Sequence, residues 1–191
     1  MSFTSKDLEQ ITNMKLILPF TGKVGFTRNK WSEAFRLNIS NTQLIDWLLS
    51  IGLTPHKSLT LGPLKIPDEY FIDFLRGHLD GDGCITTYID KYNTKKKSSY
   101  VYQRIFTTFI SASKSHIDWL HGKIVELTEI RGAVHITKVK DLSKNPMHII
   151  KFAKKDSLKL LAKIYYSDNI PCLSRKRLTY TNFLKNSSVE Q

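Results

Sequence analysis

The sequence predicts a mixed α/β (α+β) fold of short amphipathic helices and antiparallel hairpins. Two observations carry that expectation. Apolar residues recur at steps of three and four in some segments and at steps of two in others, and one order of helix, hairpin and helix runs twice along the chain. Phe3-Thr4-Ser5-Lys6-Asp7-Leu8 parallels Ile110-Ser111-Ala112-Ser113-Lys114-Ser115 at the start of each run.

Taken in order, Asp7 to Leu18 reads as a helix with Leu8, Ile11, Met14 and Leu18 on its stripe, N-capped by Ser5 and stopped by Pro19. Val24–Thr27 and Ala34–Ile39 form a hairpin around the polar stretch Arg28–Glu33. Gln43 to Ile51 is a second helix that buries Leu44, Trp47, Leu48 and Ile51, with Gly52 as its C-cap. Thr54–Thr60 is an extended connection. In the second run, Ile117–Ile130 is the matching helix, Ala133–Val139 and His148–Phe152 the matching hairpin, and Leu158–Tyr165 the last helix, capped by Asp156 or Ser157.

Between the runs lies the stretch on which the chain is organised, Ile66 to Ile85. Pro67 with Asp68 and Glu69 suits the first turn of a helix, where a missing amide and negative charge are tolerated. Tyr70, Phe74, Gly77 and Gly81 fall on one face, and Phe71, Leu75 and Leu79 line the next. Two glycines on a stripe weaken a helix but admit a second backbone. Asp80 and Asp82 stand at the C-terminal end, where the helix dipole is already negative, an arrangement that suits a shared hard cation. An EF-hand is excluded: counting from Asp80, the sixth position is Ile85 and the twelfth Lys91.

Leu75-Arg76-Gly77-His78-Leu79-Asp80-Gly81-Asp82-Gly83 resembles the nine-residue motif of the LAGLIDADG homing endonucleases, with Cys84-Ile85 where that family begins its first DNA-facing strand. The resemblance implies αββαββα repeats, paired motif helices as the interface between them, and an antiparallel saddle over DNA. It assigns Asp82 to the metal ions that drive phosphodiester hydrolysis, with the Gly81 carbonyl completing the ligand set. Lys176, three residues after Leu173, stands where the family places a lysine beside the metal. A polar Gln common in the family near the helix after the second strand is replaced by Ser113 and Lys114. On this reading residues 1–65 are an incomplete first repeat lacking its motif helix and first hairpin, 66–185 a complete repeat, and 186–191 a flexible tail. The motif-helix interface (Tyr70, Phe74, Gly77, Gly81) then calls for a homodimer or a second chain.

Residues 84–109 read as a long hairpin. Ile85, Thr87 and Ile89 alternate with Thr86, Tyr88 and Asp90; Val101, Ile105 and Phe109 face the core, with Tyr100, Tyr102, Arg104 and Thr108 opposite. Its turn carries Lys91, Lys95, Lys96 and Lys97. Such a ribbon fits a major groove, with lysines on phosphates. His135, Thr137, Lys138 and Lys140 extend the same surface, and Arg175 and Arg177 flank Lys176.

Composition agrees with a polyanionic partner. Net charge is +12, of which residues 71–191 carry +10. Cys84 and Cys172 are the two cysteines and there is no apolar N-terminal run, which points to free thiols, a reducing compartment (cytoplasmic or organellar) and no membrane. His56, His116, His121 and His148 have no zinc-ligand spacing, and neither they nor the cysteines form a nucleophilic triad. The expectation is a site-specific, Mg²⁺-dependent double-stranded DNA endonuclease. A non-cleaving maturase or transcriptional regulator of the same fold, and an inactive remnant of a mobile element, stand as alternatives.

Overall fold

The computed structural model describes residues 1–18, 21–28, 33–55, 57–92, 94–95, 97, 100–139 and 145–188, with backbone alone at 21 and 188. Pro19, His56, Lys96 and Lys140 of the sequence reading lie outside these residues. The elements are β1 Ser2–Ser5, α1 Leu8–Ile17, β2 Thr21–Arg28, β3 Glu33–Ile39 and α2 Thr42–Ser50. A 3-10 turn, Asp68–Tyr70, then leads into α3 Phe71–Gly81, β4 Cys84–Asp90, β5 Tyr102–Ser111 and α4 Lys114–Thr128. The chain closes with β6 Ala133–Ile136, β7 His148–Phe152, α5 Lys154–Ile164 and α6 Ser174–Ser188. Among the described residues no helix is long and apolar enough to cross a membrane.

Two antiparallel sheets result, ordered β1-β3-β2 and β4-β5-β7-β6. The first repeats the β5-β7-β6 order of the second. Strand register and loop bonds fix the correspondence. Ser5 pairs with Phe35 and Ser111 with His148, and each serine Oγ accepts an amide two residues on, from Asp7 and Ser113, at 3.1 Å. Ser5 therefore matches Ser111, one residue away from the sequence alignment, and Phe3 matches Phe109.

The cores are unequal. Phe71, Leu75 and Leu79 of α3 are fully buried against Ile105 and Phe109 of β5, Ile150 and Phe152 of β7, and the apolar stripes of α4 and α5. Among the described residues the first sheet buries Ile11, Leu37 and Ile39, edged by Phe3, Met14, Leu18, Phe35 and Leu44, and no described helix takes the place that α3 has in the second core. Trp47 and Leu8, expected inside, are in consequence 54% and 48% exposed. Ile89 and Val101 are exposed for a related reason, because the outer half of the β4–β5 hairpin runs beyond the helices beneath it.

Local signals shift by a few residues. Asp7, not Ser5, is the N-cap of α1; Ser5 Oγ instead accepts Asp7 N–H and donates to the Gln10 side-chain oxygen Oε1. Ile51 is the C-cap of α2 and Gly52 follows it at φ +104°. The 57–61 segment is a turn rather than extended, closed by Leu61 N–H on Lys57 O at 2.8 Å. Ser113 caps α4 three residues earlier than the apolar stripe suggests. Ser157 is no cap: buried inside α5, it takes Thr107 N–H at 2.9 Å and donates to Phe152 O at 2.8 Å.

The histidines do more than the sequence indicates. The His78 ring of α3 and the His116 ring of α4 lie nearly parallel, their planes 6° apart, with their Nε2 atoms at 3.1 Å. His116 Nδ1 is 3.3 Å from Gly62 O, and Trp119 closes the side. An Nε2–Nε2 hydrogen bond needs one ring to accept through an unprotonated nitrogen, and burial disfavours a charge on either ring. Burial holds both below the usual 6.5, His116 at about 4 with His78 and Lys57 adding to the shift. The unfolded chain binds protons below 6.5 that the folded pair refuses, so stability is full above that pH and is lost as pH falls toward 4. The melting temperature should drop over this window, and His116→Leu should flatten the drop; an unchanged profile in thermal melts would remove the pair from acid lability.

Candidate metal and nucleic-acid site at the end of α3

Helix α3 presents different sides to different partners. Leu75 and Leu79 go to the core, Gly77 and Gly81 are exposed, and Arg76 and Asp80, one turn apart, enter a third, buried side. Arg76 Nε donates to Pro171 O at 3.0 Å and its guanidinium pairs with Asp73 at 2.6 Å and lies 5.5 Å from the Tyr166 ring. Asp80 Oδ2 accepts Leu173 N–H at 2.9 Å. Its other oxygen and the Tyr165 hydroxyl are buried without a partner among the described residues. Burial raises the Asp80 pKa, against the pull of the Leu173 amide, Lys176 and Arg76.

Lys176 is 5% exposed. Its ammonium donates to the carbonyls of Leu79 at 2.5 Å, Asp80 at 2.9 Å and Gly83 at 2.7 Å. A helix ends with unpaired carbonyls and a negative dipole, and a lysine satisfies both. Burial, then the Arg175 charge, lower the Lys176 pKa. All three donors are engaged, and the carbonyls of Gly81 and Asp82 receive none of them.

Asp82 is the C-cap, its N–H on His78 O at 3.1 Å. Its side chain is exposed and has no hydrogen bond or ion pair among the described residues. Gly83 follows under steric duress: a Cβ there would stand 2.7 Å from Leu79 Cα and 2.8 Å from Leu79 O. Among the described residues no three His, Cys, Asp or Glu side chains cluster to hold an ion.

The sequence reading placed helix α1 but gave it no part at this site. Gln10 Nε2 lies 3.9 Å from where a Cβ on Gly81 would be, Asn13 Nδ2 donates to Cys172 O at 2.9 Å, and Glu9 accepts Ser174 N–H at 2.9 Å and its hydroxyl. Asp7 takes the Arg175 guanidinium in two bonds, 3.1 and 2.9 Å, which holds the Asp7 pKa down. Arg175, expected on DNA, is thus paired within the chain. The available signal was the polar side of an otherwise apolar helix.

The sheet face away from the core gathers most of the predicted contacts. Thr86, Tyr88 and Asp90 stand opposite Phe106, Arg104 and Tyr102, Cys84 opposite Thr108, and Thr108 opposite Lys151. His135, opposite Ile149, shares this face. Tyr88 stacks on Phe106 at 5.9 Å, Lys151 Nζ sits 4.0 Å over the Phe106 ring, and Arg104 lies 5.4 Å over Tyr102 while pairing with Asp90 at 3.1 Å. Phe106 and Lys151 were not foreseen. Lys91, Lys95 and Lys97 are exposed beyond the strands, as is Lys138 after β6. Of the expected interface, Tyr70 is 60% exposed on the 3-10 turn and a Cβ on Gly77 meets nothing within 4 Å. Phe74 is half-buried, packed on Trp119 at 5.8 Å and Phe71 at 6.0 Å, while Tyr70 lies on the 3-10 turn ahead of α3 and so falls out of helical phase with Phe74, Gly77 and Gly81.

The sequence matches no protein-family profile and no curated protein. Solved structures do match. The I-LtrWI LAGLIDADG homing endonuclease bound to target DNA aligns with TM-score 0.58 and 13% identity over 100% of this chain and 78% of its own. The I-SmaMI meganuclease bound to uncleavable DNA gives 0.59 and 15% over 98% and 79%. The LAGLIDADG meganuclease I-AabMI bound to uncleaved DNA gives 0.58 and 14% over 99% and 80%. The chain has the LAGLIDADG homing endonuclease fold. At the motif end of that fold, Gly83→Ala should lower stability by about 1–3 kcal/mol, the range for an overpacked site, as read by urea unfolding.

Proposed function

We propose that the chain is a divalent-metal-dependent endonuclease that hydrolyses phosphodiester bonds at a site within long duplex DNA. The observation that carries this reading is Asp82: a carboxylate without a protein partner among the described residues, held at the end of a buried helix beside a cationic and aromatic sheet face. An exposed anion at the negative end of a helix is unfavourable unless it has a use for a cation.

The donor set fits Mg²⁺, or another hard divalent ion. Mg²⁺ is commonly held by one or two carboxylates with substrate phosphates and waters making up the rest. Asp82 Oδ atoms and the Gly81 carbonyl would hold it. Bound there, the ion supplies Lewis acidity toward the phosphate and a more acidic water. Asp82 orients, and its position depends on the α3 end that Lys176 ties together. Lys176 contributes its charge through the carbonyls rather than by a direct bond to DNA, since its three donors are occupied. Gln10 is close enough to Gly81 to order solvent at the same place.

Binding rests on the sheet. Thr86, Tyr88, Tyr102, Arg104, Thr108 and His135 offer hydroxyl, aromatic and cationic groups to base edges, while Lys91, Lys95, Lys97 and Lys138 meet phosphates. Residues 1–65 act as a partial first repeat in this reading and 66–185 as a complete one. Cutting both strands requires a second carboxylate of the same kind, which a second copy or another chain brings by docking on Tyr70, Gly77 and Gly81. Phe74 supports that face from inside.

Two experiments test the proposal. Duplexes selected for binding from a randomised library should be cut in Mg²⁺ and left intact in EDTA. Asp82→Asn should abolish cutting with little change in DNA affinity; a variant that cuts at the normal rate ends the assignment. Because a side chain at Gly77 finds open space in the chain itself, Gly77→Leu should leave the melting temperature near wild type. It should convert linear plasmid product to nicked circles and lower the solution mass; unaltered products and mass would refute helix pairing.

A further inference from the structure

The resemblance gives parts to Asp82 and Lys176, whereas Asp80, expected from its position to share a cation with Asp82, is 7% exposed and turned inward. Its surroundings give it a part. Asp80 Oδ2 holds Leu173 N–H at 2.9 Å, and the Leu173 side chain is itself 1% exposed. The carbonyl of that same peptide unit's residue starts α6: Leu173 O accepts the N–H of Lys176 at 3.0 Å and of Arg177 at 3.1 Å. Lys176 then reaches back, its ammonium on Asp80 O at 2.9 Å and on the carbonyls either side of the motif end, Leu79 and Gly83. Asp80, Leu173 and Lys176 thus form a closed circuit, from side chain to amide, from carbonyl to first helical turn, and from ammonium back to the starting residue.

We propose that Asp80 is a positioning residue that delivers Lys176 to the end of α3, and through it fixes the carbonyls around Asp82. The consequence for cleavage rests on the nuclease reading above; the delivery itself does not. Three alternatives for Asp80 fit less well. As a metal ligand it would need an exposed oxygen, and both of its oxygens are buried. As an ion-pair partner of Lys176 it would receive an ammonium bond on its carboxylate, whereas that ammonium goes to backbone. As a helix cap for α3 it would bond within its own helix, and it bonds to the start of α6 instead.

The role requires an acceptor aimed at Leu173 N–H, not a charge, so Asn can replace Asp and Ala cannot. The test is a double-mutant cycle on the full chain with Asp80→Ala, Asp80→Asn, Lys176→Met and Asp80→Ala/Lys176→Met. Thermal unfolding gives the first readout. If Asp80 acts through Lys176, the double variant should melt close to the worse single variant, and Asp80→Asn close to wild type. Losses that simply add would overturn the proposal, as would an Asp80→Asn variant as damaged as Asp80→Ala. Single-turnover cleavage at saturating DNA, well below every melting point, gives the second. Asp80→Ala should cut about 10–100-fold more slowly, the usual range for loss of an outer-shell partner, with DNA affinity unchanged and activity restored in Asp80→Asn. Normal cutting by a folded Asp80→Ala would mean a purely structural residue. Should wild type cut no duplex, the nuclease reading falls and the melting cycle still decides the circuit. If Asp80→Ala fails to fold, Asp80→Ser takes its place in the cycle.

Discussion

An ammonium ion buried on three carbonyls organises this protein's functional end. A helix terminus is a poor place for a carboxylate and a worse one for two, because the dipole and the unpaired carbonyls are both negative. Lys176 answers the carbonyls of Leu79, Asp80 and Gly83 with one cation, and does so from another helix 93 residues or more away in sequence. That leaves the outer position, Asp82, free of local duties. A separation of roles between the two motif aspartates follows from geometry: one faces inward to the chain, the other outward to solvent.

The rest of the fold serves to keep that terminus still. The apolar side of α3 anchors it to the β5 and β7 strands, the His78–His116 pair ties its middle to α4 and to the 57–62 turn, and Arg76 clasps the backbone at Ile164 and Pro171. Each tie uses a different interaction and a different side of the helix. Among the described residues the smaller core of the first sheet lacks any such central helix and exposes Trp47 and Leu8 for want of it. Stability is therefore concentrated in the second sheet and its helices, which are also the elements that carry the candidate chemistry.

Much of this was readable from residues alone, and the parts that were not share a cause. The amphipathic stripes, the hairpins and the Leu75–Gly83 stretch depend on near neighbours in sequence, so periodicity found them. Helix starts were misjudged where a capping serine acts through a loop bond, as at Ser5, or sits inside the helix, as at Ser157. Tyr70 falls out of phase with Phe74, Gly77 and Gly81 because it lies on a 3-10 turn ahead of α3, a change that leaves no mark in composition. The histidine pair, the Asp7–Arg175 bond and the Phe106–Lys151 contact join positions far apart in sequence, where no local pattern exists. That the Lys176 charge is turned toward backbone rests on carbonyls 93 to 97 residues away, which no local pattern announces.

The seam between α1 and the head of α6 has a bearing on exchange of parts. Asp7, Glu9 and Asn13 each meet a specific atom around residues 172–175, and Gln10 approaches Gly81 from the same side. Recombining the first sixty-odd residues of this chain with the remainder of a relative would join two lobes whose matching polar edges were never selected together. A chimera that exchanges α1 would have to bring the facing residues 172–175 with it, because the two polar edges match atom for atom.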